Sequence, residues 1–557
     1  MRRQRRPEVI LSSGRSKFLS CLIANRVDGH IHLLIQIRTF ILLNTIELLF
    51  MKRFILLMLL LHVFALSYAQ KKSKVAAPST PSKTEQLDSF IQSAMQKWKT
   101  TGLSVTVVKE GDVIFKKGYG VTDIRTNEPF TTSTIAFCAS TTKAMTAACL
   151  GMLVDEGKIK WDDKLKNILP AFRLYDPYVS DELTIKDLLT HNAGLGNADN
   201  LWVFGFNTTE ILNRMKFMKP AYPYHASFIY QNLMYVVAGE VVKQISGKTW
   251  DAFIQERLFQ PLEMKHTYTL FKDSYQEPSR MTPHWMYGDT VIKPIEALDF
   301  GEFNPAGSVV SNADDISHWL QFLQDSAKWK GQRLLSAASY TEMFRPQSFV
   351  TPAEFYPTQA KTKPHWMTYG LGWFQQDYRG KMIQFHTGSL DGAIAIHGFI
   401  PEEKFSIYLF ANLDHNEVRH AILWKAIDLW SFNDNHRDWN NELYDLYKAR
   451  RDAGYKAEKD KEAKRILNTS PSLSLSQYAG EFSNELYGKA NITYTNGKLL
   501  IELPNHFNLT LTHWNFDTFK GAFNHEWYGP AFVRFNLNTD GVVNSVDIDG
   551  DVYQKIK

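Results

Sequence analysis

The sequence predicts an α+β body over residues 86–432, followed by a small all-β, barrel-like domain over 473–557. Two observations predict the body: strand-like runs open and close it, and helical patterns fill its middle. A third predicts the second domain: short alternating strands broken by Asn496-Gly497, Asp540-Gly541 and Asp549-Gly550 turns.

In chain order, residues 1–50 precede a second methionine and read as an upstream extension from a start codon called too early. Met51-Lys52-Arg53, the apolar run from Phe54 to Leu66 and Ser67-Tyr68-Ala69 have the three parts of a secretory signal peptide, so 51–69 is read as one. The apolar run is short for a bilayer span. The competing reading, a membrane anchor over 31–50, is interrupted by Arg38 and Glu47, each costly in lipid. The protein is therefore expected to be exported, periplasmic or extracellular, and to meet a membrane only through export. Residues 70–85 are rich in Lys, Ser and Pro and read as a flexible tether.

Leu87, Phe90, Ile91, Met95 and Trp98 recur at helical spacing over 85–99. Ser104–Lys109 and Val113–Gly118 form a hairpin pattern around Glu110-Gly111-Asp112. Ala144–Glu156 reads as a buried apolar helix, and helices dominate from about 160 to 325. Strands return at Tyr369–Phe374, Ile383–His386, Ala393–Ile400 and Phe405–Ala411, before a helix at Glu417–Trp430. Residues 433–472 are charged and read as a helical linker, with the run 449–464 a solvated face rather than a docking site.

Composition narrows the function. The chain has 557 residues and a formal charge of +5. Residues 1–69 alone carry a net +7, ten Lys/Arg against three Asp/Glu, which leaves the remainder at −2. No basic stripe remains, which excludes nucleic acid as an expected partner. Cys138 and Cys149 flank the start of a helix and read as buried free thiols, with Cys21 in the leader. No Cys/His spacing suggests zinc, and neither metal nor cofactor is expected.

Three short motifs carry chemistry. Ser140-Thr141-Thr142-Lys143 is the only S-x-x-K in the chain and opens the apolar helix. Residues three apart share a helical face, so Lys143 can reach the Ser140 hydroxyl. Serine becomes nucleophilic when a neighbour takes its proton, and lysine does so when burial lowers its pKa. Tyr230-Gln231-Asn232 leads into a second apolar helix; a phenol can shuttle protons and an amide can hold Lys143 and a substrate carbonyl. His386-Thr387-Gly388-Ser389 ends a strand, where glycine lets substrate approach the backbone and the next N–H can join an oxyanion hole. Alone, each motif is as well explained by a helix cap, a core tyrosine or a histidine before a turn.

Together, in this order, they resemble the class C β-lactamase, D-aminopeptidase and serine-esterase family, which is penicillin-binding-protein-like. Residues 188–195 (LLTHNAGL), 305–311 (PAGSVVS) and 369–373 (YGLGW) add family-like blocks, as does Asn412 after the strand following H-x-G. The resemblance covers about 86–432 and implies an antiparallel sheet flanked by helices plus a helical subdomain. It also implies roles. Ser140 is the nucleophile and Lys143 its activating partner. Tyr230 is general base and acid, and Asn232 positions substrate. His386, Thr387 and Gly388 line the cleft, and the Ser140 and Ser389 N–H groups form the oxyanion hole.

Whether Lys143 or Tyr230 takes the first proton stays open at this point. So does the choice among ester, amide, D-amino-acid peptide and β-lactam substrates. His386, where relatives carry lysine, offers only a partial, pH-dependent cation, which favours an esterase or D-peptidase over a β-lactamase. The expected partner is a small-molecule or peptide substrate, including a cell-wall-derived one. The alternative is a non-catalytic or slowly turning-over penicillin-binding or cell-wall-fragment receptor. Tyr222, Tyr224, Trp285 and Trp366 are expected to pack rather than line the cleft.

Overall fold

The computed structural model describes residues 49–67, 81–298 and 303–556. Cys21, Ala69, almost all of the predicted extension and residues 70–80 of the predicted tether fall outside the described residues; residues 83–85, read as tether, already belong to a helix. Helix α1 (Leu49–Ser67) is 19 residues long, by length and composition enough to cross a membrane, and longer than the apolar run read from the sequence. Lys52 and Arg53 are good helix formers, so they extend the helix instead of ending it.

Pro81–Lys557 form one compact unit. Helix α2 (Lys83–Trp98) starts at a Ser82/Glu85 capping box, two orphan helix-end groups satisfied reciprocally. Strands β1 (Gly102–Lys109) and β2 (Asp112–Gly120) follow, then helices α3 (Thr142–Asp155), α4 (Leu233–Ser246) and α5 (Ala313–Gln324). The sheet resumes with β3 (Ser348–Phe349), β4 (Met367–Tyr369), β5 (Phe374–Tyr378), β6 (Lys381–Leu390), β7 (Ala393–Ile400) and β8 (Phe405–Ala411). These eight strands make one antiparallel sheet in the order β2-β1-β8-β7-β6-β5-β4-β3.

The sheet is buried on both faces. On β7, Ile394 and Ile396 join one core with α2 and helix α6 (Val418–Ser431), while Ala393 and Ala395 join the other with α3, α4 and α5. Burial on both sides explains why β1, β7 and β8 read as continuous apolar runs.

Two strand expectations are corrected. Tyr369–Phe374 is not one strand but the turn between β4 and β5, because Gly372 takes φ +87° and reverses the chain. His386-Thr387-Gly388-Ser389 does not end a strand; it lies inside β6, which continues to Leu390 against β7.

Helix α7 (Trp439–Ala463) is the helical part of the segment read as a linker, and it is packed at both ends as a strut. At its start Trp439 and Leu443 are buried in the α2/α6 core. In its last turn Lys461 lies over the Phe532 ring, and beyond its end Arg465 donates to the His513 and Trp514 carbonyls. The run 449–464, read as purely solvated, therefore ends in a docked turn.

The strut leads to a closed antiparallel barrel of eight strands, β9 (Gly480–Asn484), β10 (Gly488–Thr495), β11 (Lys498–Glu502), β12 (Asn508–Asn515), β13 (Thr518–Phe523), β14 (Pro530–Leu537), β15 (Val543–Ile548) and β16 (Asp551–Lys555). Each pairs with the next, and β9 closes on β16. Alternating Leu499/Ile501, Leu509/Leu511 and Val533/Phe535 fill the interior.

Candidate active site

Ser140 sits in a tight turn, Ala139–Thr141, that runs into α3. Ala139 before it has φ +48°, a left-handed conformation that costs a non-glycine residue energy and is held by its surroundings. The Thr141 hydroxyl donates to the Cys138 carbonyl at 2.8 Å and pins the turn.

Lys143 is fully buried, one turn inside α3. Its Nζ lies 3.1 Å from Ser140 Oγ, 2.7 Å from Asn232 Oδ1 and 2.8 Å from the Ala306 carbonyl. Burial holds its pKa well below the ordinary lysine value, with Asp199 partly opposing. Its ammonium position also faces the Tyr230 and Tyr235 rings at 4.8 and 5.2 Å.

The 305–311 and 369–373 blocks acquire a physical role here. Ala306 supplies the carbonyl that grips Lys143. Gly372 packs so closely that a Cβ there would lie 2.7 Å from Ala144 N. In the 188–195 block, His191 Nδ1 accepts from the Gln231 N–H at 3.0 Å and fixes the loop carrying Tyr230 and Asn232. Asn232 in turn donates to Asp199 at 3.0 and 3.1 Å. The Tyr230 hydroxyl is buried with no hydrogen bond among the described residues. Burial pushes it well above the usual phenol range, and the nearby Ser140 hydroxyl offsets only part of this.

The third motif is placed differently from its reading. His386 is buried, and its Nδ1 meets the Thr387 carbonyl at 2.6 Å and its Nε2 the Tyr369 hydroxyl at 3.0 Å. A carbonyl only accepts, so Nδ1 carries the proton and Nε2 accepts from tyrosine. Burial, and then Lys143, push His386 down to about 3. It is neutral at physiological pH and supplies no partial cation.

Gly388 does not border the cleft. A Cβ there would lie 2.2 Å from the Cys138 carbonyl oxygen, so the glycine makes room for the turn that carries Ser140 rather than for substrate. Asn412 faces away, donating to the Val121 and Thr122 carbonyls.

β5 stops pairing with β6 at Phe374–Phe385. Beyond that point one side of β6 has no strand partner. There the Thr387 N–H donates to the Tyr356 hydroxyl at 3.1 Å. Backbone direction alternates along a strand, so the Ser389 N–H, two residues on, points the same way. The Gly388 carbonyl, on the other side, is held at 2.5 Å by the buried Arg419 guanidinium, which also reaches Ser389 Oγ at 2.9 Å.

These groups border a cleft of about 320 Å³ that includes Ser140, Tyr230, Asn232, His386, Thr387 and Ser389. Seven of its lining residues were not read from the sequence as site residues: the polar Asp199, Glu354 and Tyr356, and the apolar Trp202, Phe303, Phe374 and Leu390. They stand outside any motif, and only the fold brings them together. Of the four aromatics set aside as packing residues, none borders the cleft; Tyr222 and Tyr224 donate to the His191 carbonyl and to Asp187 instead. Cys138 and Cys149 are buried and unpaired. No group of three or more His, Cys, Asp or Glu among the described residues could hold a metal ion.

Residues 87–429 match the family model described as Beta-lactamase. The chain belongs to the β-lactamase family of serine hydrolases. Residues 464–556 match a separate domain of unknown function, DUF3471, which is the barrel with its approach. An unguisins hydrolase of Aspergillus campestris is 25% identical over 436 residues, 74% of this chain and 78% of its own. The octameric penicillin-binding protein homologue from Pyrococcus abyssi superposes with a TM-score of 0.56 at 19% identity, over 84% of this chain and 99% of its own. The D-amino acid amidase from Ochrobactrum anthropi SV3 does so with 0.53 at 21% identity, over 62% and 99%. These two structures share the β-lactamase-like fold, and the first also spans more of this chain than the hydrolase body alone.

Proposed function

We propose that this β-lactamase-family hydrolase works through an acyl-Ser140 intermediate, with Lys143 as the first base, on an ester or on the amide of an amine-bearing, D-amino-acid-like acyl group. The observation that carries the reading is the partner set of Lys143. A neutral amine has two N–H bonds and one lone pair. The Asn232 and Ala306 oxygens only accept, so they take both N–H groups. The lone pair is left facing Ser140 Oγ, 3.1 Å away. The lowered pKa supports the neutral form.

In this reading Ser140 Oγ bonds to the substrate carbonyl carbon as its proton passes to Lys143. The Ser140 and Ser389 N–H groups stabilise the oxyanion. Tyr230, whose raised pKa keeps it protonated, gives its proton to the leaving group and regains one from the Lys143 ammonium. Water then adds to the acyl carbon, and Ser140 is released with its proton restored.

Among the described residues the cleft offers no exposed cation to a substrate carboxylate, since His386 is neutral and Lys143 buried. Its acidic side chains, Asp199 and Glu354, suit a neutral or amine-bearing substrate. This supports esterase or D-amino-acid amidase and peptidase chemistry over β-lactam hydrolysis. The protein is also proposed to be exported, with 51–69 removed; an N-terminus near Gln70 on the secreted protein supports this, and one that retains α1 overturns it.

The test compares native protein and Ser140→Ala on a short-chain p-nitrophenyl ester, a D-alanyl anilide with a free amine and a chromogenic cephalosporin. Ser140-dependent turnover of the first two above the third is expected, with the variant inactive and its thermal midpoint unchanged. Activity surviving in Ser140→Ala overturns the mechanism. Faster cephalosporin turnover overturns the substrate class.

A further inference from the structure

The barrel touches the hydrolase body through one end. In an up-and-down barrel, alternate turns emerge at the same end. The turns after β9, β11, β13 and β15 therefore share an end, and each of them, or the first residue beyond it, meets the body.

On one side, the turn after β13 bears Trp527 and Tyr528. The Trp527 indole N–H donates to Asp391 Oδ2 at 2.7 Å, and the Tyr528 hydroxyl to the same oxygen at 2.8 Å. Asp391 directly follows Ser389 and Leu390, both in the cleft wall. On the opposite side, Asn505, in the turn after β11, donates to the Val203 carbonyl at 3.0 Å. Val203 adjoins Trp202 and lies four residues from Asp199, which border the same cleft from a separate segment of the chain. Arg214 anchors the turn after β9 through the Glu485 and Leu486 carbonyls at 3.0 and 3.2 Å. After the β15 turn, Asp551 lies beside Asn200, whose side chain partly offsets the burial that raises the Asp551 carboxyl.

The two sides are joined inside the barrel end by aromatic contacts. Phe204 meets Phe507 at 5.7 Å between ring centres, and Phe507 meets Tyr528 at 5.2 Å. A continuous path thus runs from one cleft wall through Phe204, Phe507, Tyr528 and Asp391 to the other. Closed barrels deform little, because no strand has a free edge to slide.

We propose that this end of the barrel is a spacer that fixes the separation of the two cleft walls, and through it the size of acyl group the cleft admits. The proposal rests on the acyl-Ser140 reading of the cleft. It assigns the domain of unknown function a specificity role in the same reaction. Trp527, Tyr528 and Asn505 act as positioning residues, since none of them borders the cleft.

The test uses the full chain, Asn505→Ala, the pair Trp527→Phe/Tyr528→Phe, and all three changes together. The rate ratio of p-nitrophenyl phenylacetate to p-nitrophenyl acetate is measured on each as kcat/KM. Either release is expected to raise the ratio about tenfold, a displacement of well under 1 Å in catalytic terms. The combined variant should raise it no further, because a spacer freed at one end no longer spaces. A ratio within twofold of native in both variants, or effects that multiply in the combined one, overturns the spacer.

Hydrogen exchange supplies a readout independent of turnover. The Gly392 amide, held by Asp414 at 3.1 Å, should exchange faster in Asn505→Ala although Asn505 contacts the other wall. Unchanged exchange at 391–393 likewise overturns the proposal. Labelling of Ser140 by a fluorophosphonate separates the two readings: a native protein that neither labels nor turns over sinks the acyl-serine reading, while exchange still decides the spacer.

Discussion

The chain contains two eight-stranded antiparallel structures, and they treat strand edges in opposite ways. The barrel closes, so each strand has two neighbours. The open sheet stops short: β5 ends opposite Phe385, and β6 runs on to Leu390 with one side free. An unpaired N–H is a liability on a storage-stable surface but a donor when aimed into a cleft. The His386-Thr387-Gly388-Ser389 motif lies on the stretch of β6 whose pairing has ceased on one side. The barrel has no such stretch, and its contribution is confined to turns.

The strongest way to break this contrast is to disturb the seat of β6 on the Ser140 turn. Gly388→Ala places a methyl 2.2 Å from the Cys138 carbonyl oxygen, and only backbone movement relieves it. We expect kcat to fall by about 100-fold or more, as misplacements near 1 Å do, with stability lower by about 1–3 kcal/mol. A kcat within threefold of native, on any Ser140-dependent substrate, would show that this contact does not set the site.

A milder change reaches the same strand from behind. The Gly388 carbonyl and the Ser389 N–H belong to one peptide group. A guanidinium on the carbonyl polarises the N–H opposite it. Arg419→Lys keeps a cation beside Glu417 but loses the rigid fork that spans both. We expect kcat to drop about tenfold, near 1.4 kcal/mol in the barrier, with KM within twofold, because the oxyanion exists only past the ground state. A change in melting temperature without that split in kcat and KM would mark Arg419 as structural only.

The same comparison shows what the sequence could disclose. Ser140 and Lys143 are legible because three residues along a helix is a fixed geometry. Lys143 does reach Ser140, as the spacing implies. The barrel is legible because Asn-Gly and Asp-Gly turns punctuate alternating strands. Asp199, Glu354 and Arg419 were illegible because each reaches the site across the fold, with no local spacing to mark it. His386 was legible as a site residue but misread as a cation, since its charge depends on burial and on Lys143, not on its identity. Gly388 was noticed for the right reason, close approach, with the wrong partner: the chain itself instead of a substrate.

Acid should separate the two halves. Every buried histidine among the described residues lies in the hydrolase body, and none in the barrel. Burial holds His386 and His397 down to about 3 in the folded state, against an ordinary 6.5. Above 6.5 both folded and unfolded chains are neutral at these sites and their full stability contribution is present. As pH falls from 6.5 towards 3, the unfolded chain takes protons that the folded one refuses. Stability then falls by up to about 1.4 kcal/mol per pH unit for each histidine. Thermal melts from pH 7.5 to 4.5 should show the body weakening ahead of the barrel. His397→Asn should flatten that slope by about half of the two-histidine share; an unaltered slope would remove His397 from the account.

The smallest effect sharpens the contrast most cleanly, because it isolates backbone strain from contact. Asn496 and Gly497 form the two-residue turn between β10 and β11, with φ of +52° and +79°. That pairing suits the primed turns that match strand twist. A Cβ on Gly497 would meet nothing within 4 Å, whereas one on Gly372, at φ +87°, would press on the first backbone atoms after Lys143. Gly497→Ala should therefore cost about 1 kcal/mol, the left-handed penalty alone. The turn after β10 emerges at the end of the barrel away from the cleft, so kcat, KM and the acyl-size ratio should all stay within 20% or so of native. Gly372→Ala shares the strain and adds the collision, so its excess loss of kcat measures how much of the site depends on the β4–β5 turn bearing on α3. If Gly497→Ala shifted the acyl-size ratio as well, the barrel would be transmitting strain through its whole length, and the division between a passive far end and a spacing near end would fail.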